Sequence, residues 1–269
     1  MRLVGHRGAS CAAPENTLAA FRAALAAGAS GFELDIQLLA SGEAIVLHDS
    51  TLQRTGAGVG PIAHRGVSGL GLAEVKRADV GSWFGRDWTD ERVPLLHEAL
   101  ELLKSDERSC CLAELKTTGP FVDSKFDPRL ASAAAAAARA AAVRPEQLLW
   151  ITFALELALQ VKRESPQHAV LLLAFCVTRS AAWRIVRTCV EHDLDGVNLY
   201  ADPYVITHEL VSWLRGRGKK VGAWVLQHPA HNDTPAVYEA LADAGVDFFT
   251  SNLPPAVVHS WREEVPVVK

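Results

Sequence analysis

The chain has 269 residues, 49% of them hydrophobic, and both charge signs are dispersed along it for a net of −4; one domain with a large core accounts for all of it. Its longest basic run, residues 215–220, is too short to mark a nucleic-acid surface, so no nucleic-acid partner is expected. The longest strongly apolar run, 169–177, falls far short of the roughly 20 residues of a membrane helix, and no integral membrane segment is expected.

Five cysteines without CxxC spacing argue against a disulfide framework or a zinc knuckle and fit a reducing compartment. His6 already belongs to a chemical motif, which leaves no room for a secretory signal of about 15–30 residues. The sequence therefore predicts a soluble, cytoplasmic protein. Nothing in it speaks to oligomeric state.

In chain order, short apolar runs alternate with longer helical patterns, as in a parallel α/β architecture. Predicted strands cover 3–6, 32–37, 111–116, 148–153, 170–175, 196–200, 221–226 and 247–251. Predicted helices cover 15–27, 95–104, 129–141, 154–164, 181–192, 203–217, 234–244 and 255–264. Gly28, Gly216, Gly218 and Gly245 follow helices as left-handed terminators, and Pro203 and Pro254 suit helix starts. Eight strands in a chain close to the roughly 250 residues of a (β/α)8 barrel point to that fold. A second apolar run, 43–48, follows Ala40-Ser41-Gly42 and reads as a hairpin-like extension. The Gly-rich stretch 49–93 behind it delays the second helix, and reads as an elaborated loop over the active face of one barrel domain.

The chemistry begins on the second predicted strand. Glu33 and Asp35 are two apart, so they share a face, while Phe32, Leu34 and Ile36 share the other. With the apolar face toward the helices, both acids point into the barrel. Glu114 and Lys116 repeat the arrangement one strand later. Three inward carboxylates form an all-oxygen site suited to Mg²⁺ or Ca²⁺, with Mn²⁺ also possible. The competing reading pairs the acids with buried Arg or Lys and needs no ion. Lys116 is either a phosphate-binding cation or a counter-charge. His6 and His48 each close an apolar run at the face where barrels keep their chemistry, and two imidazoles can act as general base and general acid. Arg7 offers a fork of donors to a phosphate.

Several segments together resemble the glycerophosphodiester phosphodiesterase family. They are His6-Arg7-Gly8, Pro14-Glu15-Asn16-Thr17, Glu33-Leu34-Asp35-Ile36-Gln37, His48-Asp49, Leu52-Gln53-Arg54-Thr55, Gly81-Ser82-Trp83-Phe84 and Glu114-Leu115-Lys116. The resemblance implies a (β/α)8 barrel with a small insertion after the second strand. It also implies a divalent metal on Glu33, Asp35 and Glu114, acid–base catalysis by His6 and His48, and phosphate contacts from Arg7 and Lys116. Glu15 and Asn16 match as well, with a role in organising the first loop. Trp224 fits a late tryptophan of the family and is expected at the substrate, although the three residues after it depart from the pattern.

The expected reaction is metal-dependent hydrolysis of a small glycerophosphodiester to sn-glycerol 3-phosphate and an alcohol. Which histidine is the base stays open. A lysophospholipase D-like enzyme is the first alternative, with Trp83, Phe84 and Trp88 as an apolar lip. A Schiff-base aldolase using Lys116 and a non-catalytic binding protein are the others. His228 and His231 lie on a late loop and are expected to face solvent.

Overall fold

The computed structural model describes residues 1–117, 125–226 and 232–253. Nine strands form one sheet: β1 (Arg2–Gly5), β2 (Gly31–Leu38), β3 (Ala44–Val46), β4 (Cys110–Leu115), β5 (Leu148–Thr152), β6 (Ala169–Ala174), β7 (Gly196–Tyr200), β8 (Lys220–Trp224) and β9 (Phe248–Ser251). They run β1-β9-β8-β7-β6-β5-β4-β2-β3, and β1 also pairs with β2. Eight parallel strands thus close a barrel. β3 hangs on β2 as an antiparallel hairpin, with Gln37 opposite Ile45. The turn needs Gly42 at φ +100°, in the left-handed region where other residues are strained.

Each strand's two faces go to different places. Phe32, Leu34 and Ile36 join Phe21, Leu96 and Leu100 in the large layer between sheet and helices. Val4, Leu112, Leu149, Ile151, Leu171, Leu173 and Phe248 fill the barrel interior. That interior packing plugs the barrel below the site, so ligands reach it from the C-terminal ends of the strands.

The helices are α1 (Leu18–Ala26), α2 (Leu72–Val75), α3 (Leu96–Leu100), α4 (Leu130–Ala140), α5 (Leu155–Glu164), α6 (Arg179–Glu191), α7 (His208–Arg215) and α8 (Pro235–Ala244). No described helix is long and apolar enough to cross a membrane. Two of them start later than their sequence pattern predicts. α1 begins after Thr17, whose hydroxyl caps Ala20 N at 3.2 Å, instead of at residue 15. α7 begins after Thr207, which accepts from Leu210 N at 3.3 Å, and Pro203 is not a helix start. A local hydroxyl acceptor outweighs the apolar period in setting both ends. Gly28, Gly218 and Gly245 adopt the left-handed conformation, whereas Gly216 stays right-handed. The predicted helix 255–264 with Pro254, and the loop carrying His228 and His231, lie outside the described residues.

The insertion is more than a loop. Leu39, Ile45, Leu47, Leu52, Val67, Leu70, Val75, Val80 and Val93 make a second buried cluster there, around α2 and the β3 hairpin. Short apolar spacings without a helical or strand period hid this cluster in the sequence.

Candidate active site

The turn after β1 places the first two site residues. Arg7 sits at φ +56°, a conformation that a non-glycine residue holds only when its surroundings over-determine it. Here the Arg7 N–H donates to Glu33 Oε2 at 2.9 Å. Asn16, also at φ +56°, grips Asp35 twice: its Nδ2 donates to Oδ2 at 2.8 Å, and its Oδ1 accepts from the Asp35 N–H at 3.3 Å. Two strained residues therefore hold two carboxylates.

β2 and β4 are paired so that Asp35 lies beside Glu114 and Glu33 beside Leu112. Glu33, Asp35 and Glu114 are all buried, and each offers an oxygen within 4.8 Å of the others. Burial, and then the charges of Asp35 and Glu114, push the Glu33 carboxyl well above the usual range. Burial raises Glu114 in the same way. Asp35 is the exception: burial opposes its charge, but Lys116, His48 and Arg7 hold its carboxyl below the usual range. Lys116 reaches Glu114 at 2.9 Å and Asp35 at 3.3 Å.

Arg7 is largely committed to acids. Its Nη1 donates to Glu15 at 2.8 Å, and its Nε lies 3.4 Å from Asp35. Arg54, from the insertion, closes on Glu15 from the other side with two bonds of 2.7 Å, and also donates to Asp49 at 2.8 Å. Glu15 and Asn16 thus reach into the site itself, beyond organising the first loop. At the cavity and behind its wall, five carboxylates (Glu15, Glu33, Asp35, Asp49 and Glu114) stand with three cations (Arg7, Arg54 and Lys116) among the described residues. With all five ionised the excess is two negative charges, which a divalent ion at the buried triad would neutralise, and the donors there are all oxygen.

The two histidines have different partners. His6 Nδ1 meets Asn252 Oδ1 at 2.7 Å, with its Nε2 3.9 Å from Glu33. Burial, and next the Arg7 charge, lower its pKa to about 3. His48 Nδ1 meets Asp49 Oδ1 at 2.7 Å, and its ring is partly exposed at the mouth. Gln37 steadies it from below, donating to the His48 carbonyl at 3.0 Å.

A cavity of about 140 Å³ opens between these groups. His6, Arg7, Glu33, His48, Glu114 and Lys116 line one arc, from β1, β2, the hairpin and β4. The described residues of the opposite arc are neutral, with Ile151, Phe153, Leu173, Asn198, Trp224 and Thr250 among them. Trp224 packs edge-on to Phe153 and Tyr200 at 5.8 and 5.7 Å, and Phe175 at the rim is 41% exposed. The apolar rim therefore comes from the ends of β5–β8. Trp83, Phe84 and Trp88 instead pack on one another, 5.6 and 6.2 Å apart, and do not line the cavity.

All eight site residues expected from the sequence come together except Asp35, which stands behind the cavity wall as one of the three clustered acids. Asn252, Asp49, Arg54 and Asn198 were given no role by the sequence reading. For Asn198 the signal was available: it is the inward polar residue of β7, between outward Val197 and Leu199. For Asn252 there was none, because its partner lies 246 positions away.

The family model described as Glycerophosphoryl diester phosphodiesterase family matches residues 6–254. The chain is 44% identical over 101 residues to a glycerophosphodiester phosphodiesterase of Caldanaerobacter subterraneus subsp. tengcongensis, which is 38% of this chain and 40% of that relative. A glycerophosphodiester phosphodiesterase of Bacillus subtilis is 26% identical over 264 residues, 93% of this chain and 83% of that protein. Among solved structures, an Oleispira antarctica phosphodiesterase in complex with the product sn-glycerol-3-phosphate superposes with a TM-score of 0.79 at 24% identity, covering 98% of this chain and 97% of that one. A glycerophosphodiester phosphodiesterase of Agrobacterium tumefaciens gives 0.74 at 25% identity, covering 96% and 99%.

Proposed function

Because the chain belongs to the glycerophosphoryl diester phosphodiesterase family, we propose that it hydrolyses glycerophosphodiesters to sn-glycerol 3-phosphate and an alcohol with a divalent cation at the acidic cluster. The observation that carries this reading is the buried triad Glu33, Asp35 and Glu114 with two histidines and two cations beside it in one cavity. The product bound in the Oleispira structure supports the choice of product. Mg²⁺, Ca²⁺ and Mn²⁺ all suit the oxygen donors. When bound, such an ion polarises the phosphoryl oxygens and offsets charge that grows on them.

The chain's own residues supply the rest. Lys116 and Arg7 add positive charge on the cavity side of the acids, where extra negative charge develops in the transition state. Asn252 turns its amide oxygen to His6 because its Nδ2 donates to Leu226 O at 2.6 Å. His6 Nδ1 therefore carries the hydrogen, and Nε2 presents a lone pair. A His6 kept neutral by burial and the Arg7 charge suits the role of base, and His48, oriented by Asp49, that of the acid that protonates the departing alcohol oxygen. The glycerol hydroxyl next to the phosphate gives its proton to His6 while its oxygen bonds to phosphorus. The bond from phosphorus to the alcohol oxygen breaks as His48 supplies that oxygen with a proton. Water then opens the cyclic phosphate with the two histidines in exchanged roles.

A cytoplasmic location belongs to the same proposal, in keeping with five cysteines that all stand free. The reading is tested by assaying a panel of glycerophosphodiesters with each ion and with chelator. Metal-stimulated release of sn-glycerol 3-phosphate is expected; a metal-loaded, folded enzyme that cleaves none of them would overturn it.

A further inference from the structure

On three neighbouring strands, residues that line the cavity carry buried polar atoms without a hydrogen-bond partner among the described residues. They are both ends of the Asn198 amide on β7, the Trp224 Nε1–H on β8 and the Thr250 hydroxyl on β9. Asn198 and Thr250 are each 1% exposed. A buried amide without a partner works against folding, and such a group calls for a bound water, an ion or a ligand to meet it.

Two features of the fold say what that is. In the closed order of eight strands, β7 lies four strands from β2 in either direction, so Asn198 faces the acidic strand across the barrel. The amide is also built into its place. Asn198 pairs with Gly222 on β8, and a Cβ at that glycine would sit 2.7 Å from Asn198 Oδ1. A residue larger than glycine would push the amide aside.

The ligand spanning the cavity therefore meets cations and carboxylates at one end and a neutral donor–acceptor at the other. A second phosphate would find no cation among the described residues of that arc, and an acyl chain would leave the amide unpaired. A hydroxyl both donates and accepts, as the amide does. Resting on the functional reading above, we propose that Asn198 is a specificity-determining residue that hydrogen-bonds the glycerol hydroxyl farthest from phosphorus. The substrates are then diesters whose glycerol end is free, and acylation of that hydroxyl removes the donor the amide needs.

The test is calorimetric titration of the metal-loaded protein with sn-glycerol 3-phosphate and with propane-1,2-diol 1-phosphate, which lacks only the terminal hydroxyl. The wild type should prefer the first by about ten-fold or more, the scale of one hydrogen bond in a buried site. Asn198→Leu should bring that preference to within about two-fold, leave the propanediol phosphate affinity nearly unchanged, and keep or raise the melting temperature, since it removes a buried amide with no protein partner. Should the leucine not fit, Asn198→Ala reads the same preference. A preference retained in the folded variants overturns the proposal. So does a variant that melts far earlier and loses both ligands alike, because the amide would then be structural. A wild type that releases sn-glycerol 3-phosphate from diesters but binds the two ligands equally refutes this assignment and leaves the functional reading standing; one that neither binds nor cleaves refutes both.

Discussion

His6 Nδ1 and Asn252 Oδ1 lie 2.7 Å apart, so the residue that follows the first strand is oriented by one that follows the last. Closure of the barrel between β1 and β9 makes this contact, with Gly5 paired to Ser251. The amide keeps His6 in one tautomer without adding a negative charge.

Asn252→Asp should change the pH profile in a definite direction. With its pKa near 3, the wild-type His6 stays neutral and puts no acidic limb near 6.5 in kcat/KM. A carboxylate in place of the amide favours the imidazolium and raises that pKa. The base is then lost as pH falls, and an acidic limb should rise toward about pH 5–7. Profiles of the two proteins between pH 4 and 9 check this; identical acidic limbs would rule out His6 as the base.

Arg7→Lys keeps the charge but cannot reach Glu15, Asp35 and the cavity with one rigid fork. Turnover should fall about ten-fold or more, and stability by about 1–3 kcal/mol because Glu15 loses a buried charged partner. Steady-state kinetics and urea melts read the two effects separately. An unchanged kcat/KM would place Arg7 outside the reaction.

Chelation should abolish activity, and Mg²⁺, Ca²⁺ or Mn²⁺ should restore it. Since the ion relieves repulsion among three buried carboxylates, its addition should also raise the melting temperature. Glu114→Gln should blunt both responses. Full activity in a metal-free preparation would leave the acids to Arg7 and Lys116 alone.

His6 and His48 should behave as one unit. Single changes to Ala are each expected to be nearly as damaging as the double change, since each proton transfer needs both ends. A 2-deoxy analogue of the glycerol moiety should bind and barely react, because attack by the neighbouring hydroxyl gains effective molarity that water lacks, up to about 10⁵ M or more. Hydrolysis of that analogue at the normal rate would mean that water attacks directly.

Asp49→Asn tests the clamp between the insertion and the barrel. Burial raises the Asp49 carboxyl, but bonds from His48 and Arg54 more than offset this and hold it below the usual range. Its ionised form therefore contributes stability that is complete above the unfolded pKa of about 4, and is lost as pH falls through the folded value. The variant should be about 1 kcal/mol less stable at pH 7, and the gap should shrink as pH drops below about 4. Denaturant melts at a series of pH values measure it; a gap independent of pH would assign the loss to packing.

The sequence alone determined the barrel's strands and the acids. Strand alternation is a local property with a period of two, so Glu33, Asp35 and Glu114 could be placed inward before any contact was known. All eight predicted barrel strands lie within two residues of the observed ones, because runs such as 196–200 and 148–153 have no other way to bury both faces. The tertiary structure decided what depends on closure. It gave His6 and His48 different partners, committed Arg7 to Glu15 and Asp35, and wired Arg54 from the insertion to both Glu15 and Asp49. It also moved the apolar rim from Trp83, Phe84 and Trp88 to the ends of β5–β8, and left Asn198 without a partner among the described residues, across from the acids. These relations join residues far apart in the chain, and no local period encodes which strand end will face which once eight strands close into a ring.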